Sequence, residues 1–423
     1  MSTENTQRSL IAVVQVLSLT VWFSASAVVP ALQTAWGIDA TEAVWLTASV
    51  QIGFVVGAVT STALNLPDRL PPHLLMAGCA LAAAACTAAF ALTAHGLSSG
   101  VTLRFATGMF LAGVYPVGMK LMASWSEPRT RARAFGVLLG ALTLGSALPH
   151  LVGGLGDLPW RGVMLTAAAI ATAGAVAAVA LVRPGPLLAQ DGTARPHPRY
   201  ALNMFTQRGP RLVNLGYFGH MWELYALWTW IPSYLAASNS HREAQNGSPV
   251  DLTTFLTMGR AGVLGCLAGG WAADRFGRPA AATTALAVSG LCCLGSPIAF
   301  GTAPIIMLAF AAVWGASVIA DSGVFSTALS EVADQHYVGT ALTAQTAIGF
   351  LLTVVTIQFV PLVADAVGWR YSFLLLAPGP VIGAIAMARF GRHPPEVVTR
   401  SPGTPQPTAH VSLTAPNPKE TQL

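Results

Sequence analysis

Apolar residues in this chain are gathered into blocks of about twenty, and the blocks recur from Leu10 to Phe390 with only short polar breaks between them. A block of that length crosses the hydrocarbon of a bilayer as one helix, the form in which a single segment satisfies its own backbone there. A soluble chain would need far more than the 9% charged residues present here, since about 25% is ordinary. The chain therefore reads as an all-α polytopic membrane protein held in the lipid bilayer. Helices are expected near residues 10–32, 43–64, 73–95, 98–122, 134–154, 161–182, 212–236, 252–273, 279–300, 303–328, 338–364 and 370–390. The first block lacks a small-residue cleavage site after a short apolar core, so it is expected to remain as a span.

These twelve spans form two sets. Residues 1–182 are expected to make one six-helix bundle and residues 212–392 a second. Residues 183–211, rich in proline, glycine and arginine, read as a cytoplasmic linker, and residues 393–423 as a disordered cytoplasmic tail. Charge sets the orientation. Of the 22 Lys and Arg residues, seventeen fall on the side of the two termini, Arg161, Arg242 and Arg370 fall opposite, and Arg104 and Arg260 lie within spans. Positive charge collects in the cytoplasm, so both termini are expected there, with the protein in a plasma membrane of the bacterial inner type. The net charge of +5 follows from this bias, and without a basic stripe of interleaved aromatics no nucleic-acid partner is expected. Cys79, Cys86, Cys266, Cys292 and Cys293 all fall inside apolar blocks and read as packing residues, not as disulfides or metal ligands.

The halves echo each other. Asp68 and Arg69 return as Asp274 and Arg275 at a shift of 206, Trp22 returns as Trp228 at the same shift, and Trp160 and Arg161 return as Trp369 and Arg370 at 209. A duplicated six-helix unit places a substrate site at the interface of its copies, near the middle of the membrane.

With these signals in place the chain resembles the major facilitator superfamily of secondary transporters over residues 8–392. The stretch GGWAADRFGR matches that family's G-x-x-x-D-R-x-G-R loop at Gly270, Asp274, Arg275, Gly277 and Arg278, which the resemblance marks as a gating motif. The first-half copy, LNLPDRLPP, keeps only Asp68 and Arg69. LRFATG is similar to the family's R-x-x-x-G signature at Arg104 and Gly108, and implies a coupling role for Arg104. In the fifth span Gly136, Gly145, Gly153 and Gly154 match an antiporter-associated signature, whereas Pro149 and His150 replace its Gly-Pro step. Members annotated for cyanate or other small anions are a looser likeness. The resemblance implies a monomeric transporter of twelve helices in two pseudo-symmetric bundles, working by alternating access and needing no cofactor.

Six ionisable side chains lie inside spans: Arg104, His150, His220, Glu223, Arg260 and Asp321. A charge at the bilayer centre costs about 2.5 to 3.5 kcal/mol on insertion scales, so each needs a partner or a water-filled path. At 100° per residue Gly216, His220, Glu223, Leu227, Trp230 and Tyr234 share a face. Glu223 reads as a proton acceptor or substrate contact, or as a structural carboxylate bonded to a neighbouring helix; His220 reads as its relay or as a buried neutral imidazole. Arg260, expected at a similar depth, would pair with Glu223 or hold an anionic substrate, and otherwise is a structural charge. Arg104 is a coupling residue or a hydrogen-bond hub. Asp321 is a second candidate for proton coupling, and His150 bonds backbone loosened by Pro149. Trp22, Trp222 and Tyr225, too deep to be interfacial anchors, either pack or line a cavity.

No nucleotide-binding signature is present, so an ion gradient must supply the energy, and the titratable groups favour protons. The expected activity is proton-coupled transport of a small anionic or organic solute. Efflux of a drug-like or metabolic compound in exchange for protons is the alternative, and an intramembrane metalloenzyme using His150, His220 and Glu223 is a remote one. The chain is otherwise not expected to be an enzyme or to bind a metal.

Overall fold

The computed structural model describes residues 3–64, 66–127, 131–154, 158–188, 205–242, 249–333 and 338–392. Much of the linker (residues 189–204), the tail (residues 393–423) and the side chain of Asp68 lie outside the described residues.

Twelve helical spans follow the apolar blocks. Helix 1 (Thr3–Leu19, resumed by Val29–Trp36) is followed by helix 2 (Thr41–Ala63), helix 3 (Pro72–Thr93), helix 4 (Leu97–Ser124), helix 5 (Arg131–Gly154) and helix 6 (Trp160–Leu181). The second half holds helix 7 (Arg208–His241), helix 8 (Val250–Phe276), helix 9 (Arg278–Ala299), helix 10 (Pro304–Val332), helix 11 (Val338–Val367) and helix 12 (Trp369–Arg392). Among the described residues, ten of these are long and apolar enough to cross a membrane. The other two are helix 1, which is interrupted, and helix 7, which carries polar residues along its 34-residue length. Proline opens helices 3 and 10, where its missing N–H is not needed. Gly277 stops helix 8 at φ 89, a conformation a side chain would strain.

The interruption of helix 1 is the main departure from the expected spans. Residues 20–25 leave the helix before a short 3-10 turn, Ser26–Val28, restores it. Pro30 cannot bond back one turn and its ring crowds the carbonyl there, while Ser24 and Thr20 offer local hydroxyl bonds to Val21 and Val16 carbonyls. Helices 4 and 10 also change direction midway, at residues 112–114 and at Asp321.

Packing is repeated between halves. Helix 2 lies on helix 4 and helix 8 on helix 10 through glycines: Gly53 and Gly57 meet the backbone of Phe105 and Met109, and Gly265 and Gly269 meet that of Ala316 and Ala320. With lipid as apolar as leucine, such close backbone approach is what holds membrane helices together. The halves meet along two seams, helix 5 on helix 8 and helix 2 on helix 11. This is an all-α membrane fold of two pseudo-symmetric six-helix bundles.

Candidate functional site

A cavity of about 440 Å³ lies between the halves, in the half of the molecule nearer the chain ends. Helices 2, 4, 5, 7, 10 and 11 line it through residues such as Thr62, Tyr115, Leu142, His220, Ser326 and Thr346. It reaches Lys120 and Ser330 at one end and stops at an aromatic layer at the other. There Trp22 of the first half meets Tyr225 and Phe350 of the second at ring-centroid distances of 6.0 and 5.8 Å, and Phe54 meets Phe350 at 4.4 Å. Phe23 adds contacts to Tyr225 at 5.8 Å and Trp228 at 5.5 Å. Aromatic pairs of this kind contribute about 0.5 to 1.5 kcal/mol each beyond area burial, so the layer closes the cavity and joins the two halves.

The layer can form because helix 1 is broken beside it. The break frees carbonyls that an unbroken helix would bond internally, and Arg104 of helix 4 takes them up. Its Nη1 donates to Val21 O at 2.9 Å and Ser24 Oγ at 3.3 Å, its Nε to Leu46 O at 3.3 Å, and its Nη2 to Trp22 O. The side chain is wholly buried and is not among those lining the cavity. Arg104 is in this arrangement a hydrogen-bond hub for the backbone of helices 1 and 2.

On the second half, the break in helix 10 sets Asp321 behind His220. His220 Nδ1 stands 2.9 Å from Asp321 Oδ1, and its Nε2 lies 2.9 Å from Ser322 Oγ. Both side chains are buried, but His220 lines the cavity and Asp321 does not. The Asp321 oxygens have no directed hydrogen bond among the described residues, so the two side chains stand close without a well-aligned bond. The arrangement can hold or give up a proton at the edge of the cavity.

Three sequence expectations are corrected here. Glu223 does not meet Arg260. Its carboxylate accepts from Ser289 Oγ and from Cys293 Sγ (3.2 Å) on helix 9 and from Trp314 Nε1 (2.6 Å) on helix 10, so it faces those helices and not the cavity. Arg260 is exposed, in line with the exposed Leu264, Leu267 and Trp271, on the side of helix 8 away from its glycine contacts. A seven-residue π-helical stretch, Phe255–Ala261, resets the register just there, which the 100° rule does not anticipate. Trp222 donates to Leu375 O at 3.1 Å against helix 12 and takes no part in the cavity, whereas Trp22 and Tyr225 do bound it.

The proposed metal set is likewise dispersed. His150 Nδ1 lies 3.2 Å from Asp251 Oδ1 of helix 8, His220 lies against Asp321, and Glu223 is bonded as described. Among the described residues no three His, Cys, Asp or Glu gather as a metal site. The glycines of helix 5 serve packing: Gly145 meets Val16 of helix 1, and Gly153 and Gly154 meet Asp251 and Leu252. Of the loop motif, Asp274 pairs with Arg133 of helix 5 at 3.2 Å and Arg278 with Glu331 of helix 10 at 2.7 Å, while Arg275 and Arg69 are exposed.

Sequence reasoning missed Ser322, Ser326, Tyr115 and Phe350 as cavity residues. For Ser322 a signal existed: Asp-Ser-Gly inside an apolar block is the composition of a turn. Phe350, an apolar residue in an apolar span, carried none.

Two helical bundles around a shared cavity, closed at one end by contacts between the bundles, are the architecture of a secondary transporter. The profile of the Major Facilitator Superfamily matches residues 11–357 and 213–418, and the chain belongs to this family. Membership makes it a transporter and an integral membrane protein, not an enzyme. It is similar in structure to the xylose transporter XylE from E. coli in a partially occluded inward-open conformation, with TM-score 0.68 and 14% identity over 92% of this chain and 99% of that one. The proton:xylose symporter XylE bound to 6-bromo-6-deoxy-D-glucose gives TM-score 0.67 and 14% identity over 92% and 96%. The human organic anion transporter MFSD10 (TETRAN) gives 0.65 and 15% over 92% and 100%. No curated protein matches the chain.

Proposed function

We propose that the protein is a proton-coupled secondary transporter that moves a small polar organic solute by exposing the central cavity to each side of the membrane in turn. The observation that carries this reading is the His220–Asp321 pair: an imidazole on the cavity wall with an otherwise unbonded, buried carboxylate behind it. With His220 protonated the pair is balanced. When the proton leaves, a buried carboxylate is left uncompensated, at a cost of several kcal/mol, and that cost favours a rearrangement that brings it a new proton or a new donor. Proton occupancy and conformation are thereby tied together. Neither Arg104 nor Arg260, on which an anionic preference was expected, lines the cavity; the cation on its wall is Lys120, at one end, which donates to Pro67 O. On a largely apolar wall the polar groups are mostly neutral hydroxyls, from Ser61, Thr62, Ser322, Ser326, Thr327 and Thr346 among others.

In the same reading the chain ends face the cytoplasm of a cell whose inner membrane holds the protein, which the distribution of Lys and Arg supports. Residues 1–182 and 212–392 move as two bodies joined by residues 183–211, and one chain suffices because its own two halves complete the cavity. Reconstituted protein, with a ligand found by thermal-shift screening of small organic solutes, tests the coupling. Asp321→Asn and His220→Gln are expected to abolish accumulation on an imposed pH gradient while sparing solute exchange. Accumulation by both variants at the wild-type level would refute the assignment.

A further inference from the structure

Just beyond the blind end of the cavity stand four buried polar side chains with hydrogen-bonding atoms that meet no partner among the described residues. They are the indole N–H groups of Trp22 and Trp228, both amide atoms of Gln51, and the hydroxyl of Ser146. All four continue faces that bound the cavity. Gln51 is one turn from Phe54 on helix 2, in a row with the cavity residues Ala58 and Thr62. Ser146 is one turn past Leu142 on helix 5, and Trp228 one turn past Leu224 and Tyr225 on helix 7. Trp22 lies against Phe54, Tyr225 and Phe350.

A buried donor or acceptor without a partner costs about 1 to 3 kcal/mol, and native proteins hold few of them. Other such atoms are scattered among the described residues, on Ser18, Ser49 and Asn214 for example, but these four come from four helices and each stands next to residues at the blind end of the cavity. They are also selective. Trp222, Trp230 and Trp314 of the second half all donate their N–H, to Leu375 O, Ile357 O and Glu223. The two that do not are the pair related by the repeat shift of 206, one from each half.

We propose that this ring is the solute-recognition layer of the transport path, and that it takes an uncharged ring compound rich in oxygen acceptors, such as a hydroxylated or carbonyl-bearing ring. The inference rests on the transporter reading and deepens it. Two indoles offer only donors, the amide and hydroxyl offer both senses, and no charge enters the ring, since Arg104 and Glu223 are committed to other partners. Indole and phenyl faces around these groups suit a flat ligand whose edge carries the oxygens. Trp22, Gln51 and Ser146 belong to the first half and Trp228 to the second, so a solute bonded to both sides gains its full set of contacts only when the halves close on it. Recognition and closure are then one event.

Two arms test this. In membrane vesicles, a small thiol reagent added on the face opposite the chain ends should label Gln51→Cys and Ser146→Cys well above wild type, while Val50→Cys, which faces Gly108 of helix 4, should stay at background. Equal labelling of all three overturns the pathway assignment. In purified protein, Trp22→Phe and Trp228→Phe keep a ring and remove the N–H. Without ligand they should melt at or about 1 to 2 °C above wild type, because an unpaired donor is gone. D-glucose and its lactone should stabilise wild type where benzoate and tetraphenylphosphonium do not, and Trp22→Phe should weaken that binding about 3- to 10-fold. Stabilisation by the charged probes alone, or by none, overturns the solute class, and a lower melting temperature in both variants would make the indoles structural. Neither arm reads accumulation on a pH gradient, so a failure of proton coupling is distinguishable from a failure of the ring.

Discussion

Helices 1 and 4 of the first half correspond to helices 7 and 10 of the second, and the two pairs are tied together by opposite chemistry. In the first half a cation on helix 4, Arg104, donates to backbone carbonyls that a broken helix 1 has released. In the second half helix 7 runs on without such a break, and the tie is made by side chains: Glu223 accepts from Trp314 of helix 10, with Ser289 and Cys293 of helix 9 adding two more donors. One architecture has kept the contact and exchanged its donors for acceptors. The difference teaches that an ionisable group inside a membrane helix is explained by its partner. Two of the most conspicuous charges here, Arg104 and Glu223, hold helices together, while the pair at the cavity wall is the less conspicuous His220 and Asp321.

The largest effect should come from the first tie. Arg104→Leu removes the charged donor from the carbonyls of Val21, Trp22 and Leu46, leaving Trp22 O without its side-chain donor, and should cost about 3 kcal/mol in thermal unfolding of the purified protein. Arg104→Lys keeps the charge but loses the fork that reaches both helices, and should recover only part of that. Wild-type stability in both would break the comparison.

The second tie should be weaker and shared. Glu223→Gln presents an amide to donors on one side and should cost about 1 to 3 kcal/mol, with Trp314→Phe costing about 1 kcal/mol. Because the two side chains share one bond, the double variant should be less destabilised than the sum, by at least about 0.5 kcal/mol. Strict additivity would separate Trp314 from Glu223. The same Glu223→Gln protein should still accumulate solute on a pH gradient if it remains folded; loss of accumulation at normal stability would return Glu223 to the coupling machinery.

Ser289→Ala removes one of three donors and should cost about 1 kcal/mol. Smallest of all is Arg260→Leu. On an exposed stripe beside Leu264 and Leu267 it should leave both stability and solute affinity within about 0.5 kcal/mol of wild type, measured by unfolding and by ligand-induced thermal shift. A marked loss of affinity would place Arg260 in the solute path.

Block length and charge scarcity determined by themselves that this chain is a twelve-helix membrane protein, because bilayer thickness and backbone satisfaction leave a segment of twenty apolar residues little else to do, and the loop motif Gly270–Arg278 added the resemblance to the major facilitator family. The same rules marked His220, Asp321, Trp22 and Tyr225 as candidates by depth and type. Only tertiary structure decided what each of them meets. Helical periodicity says which residues share a face, but not which helix that face is turned toward, and it fails where the helix itself changes. The break at residues 20–25 created the acceptors that claim Arg104, the π-helical stretch at Phe255–Ala261 sent Arg260 outward, and close glycine packing on helix 10 left it there. Phe350 became part of a closing layer through neighbours more than a hundred residues away in the chain, a relation that no local pattern of apolar residues encodes.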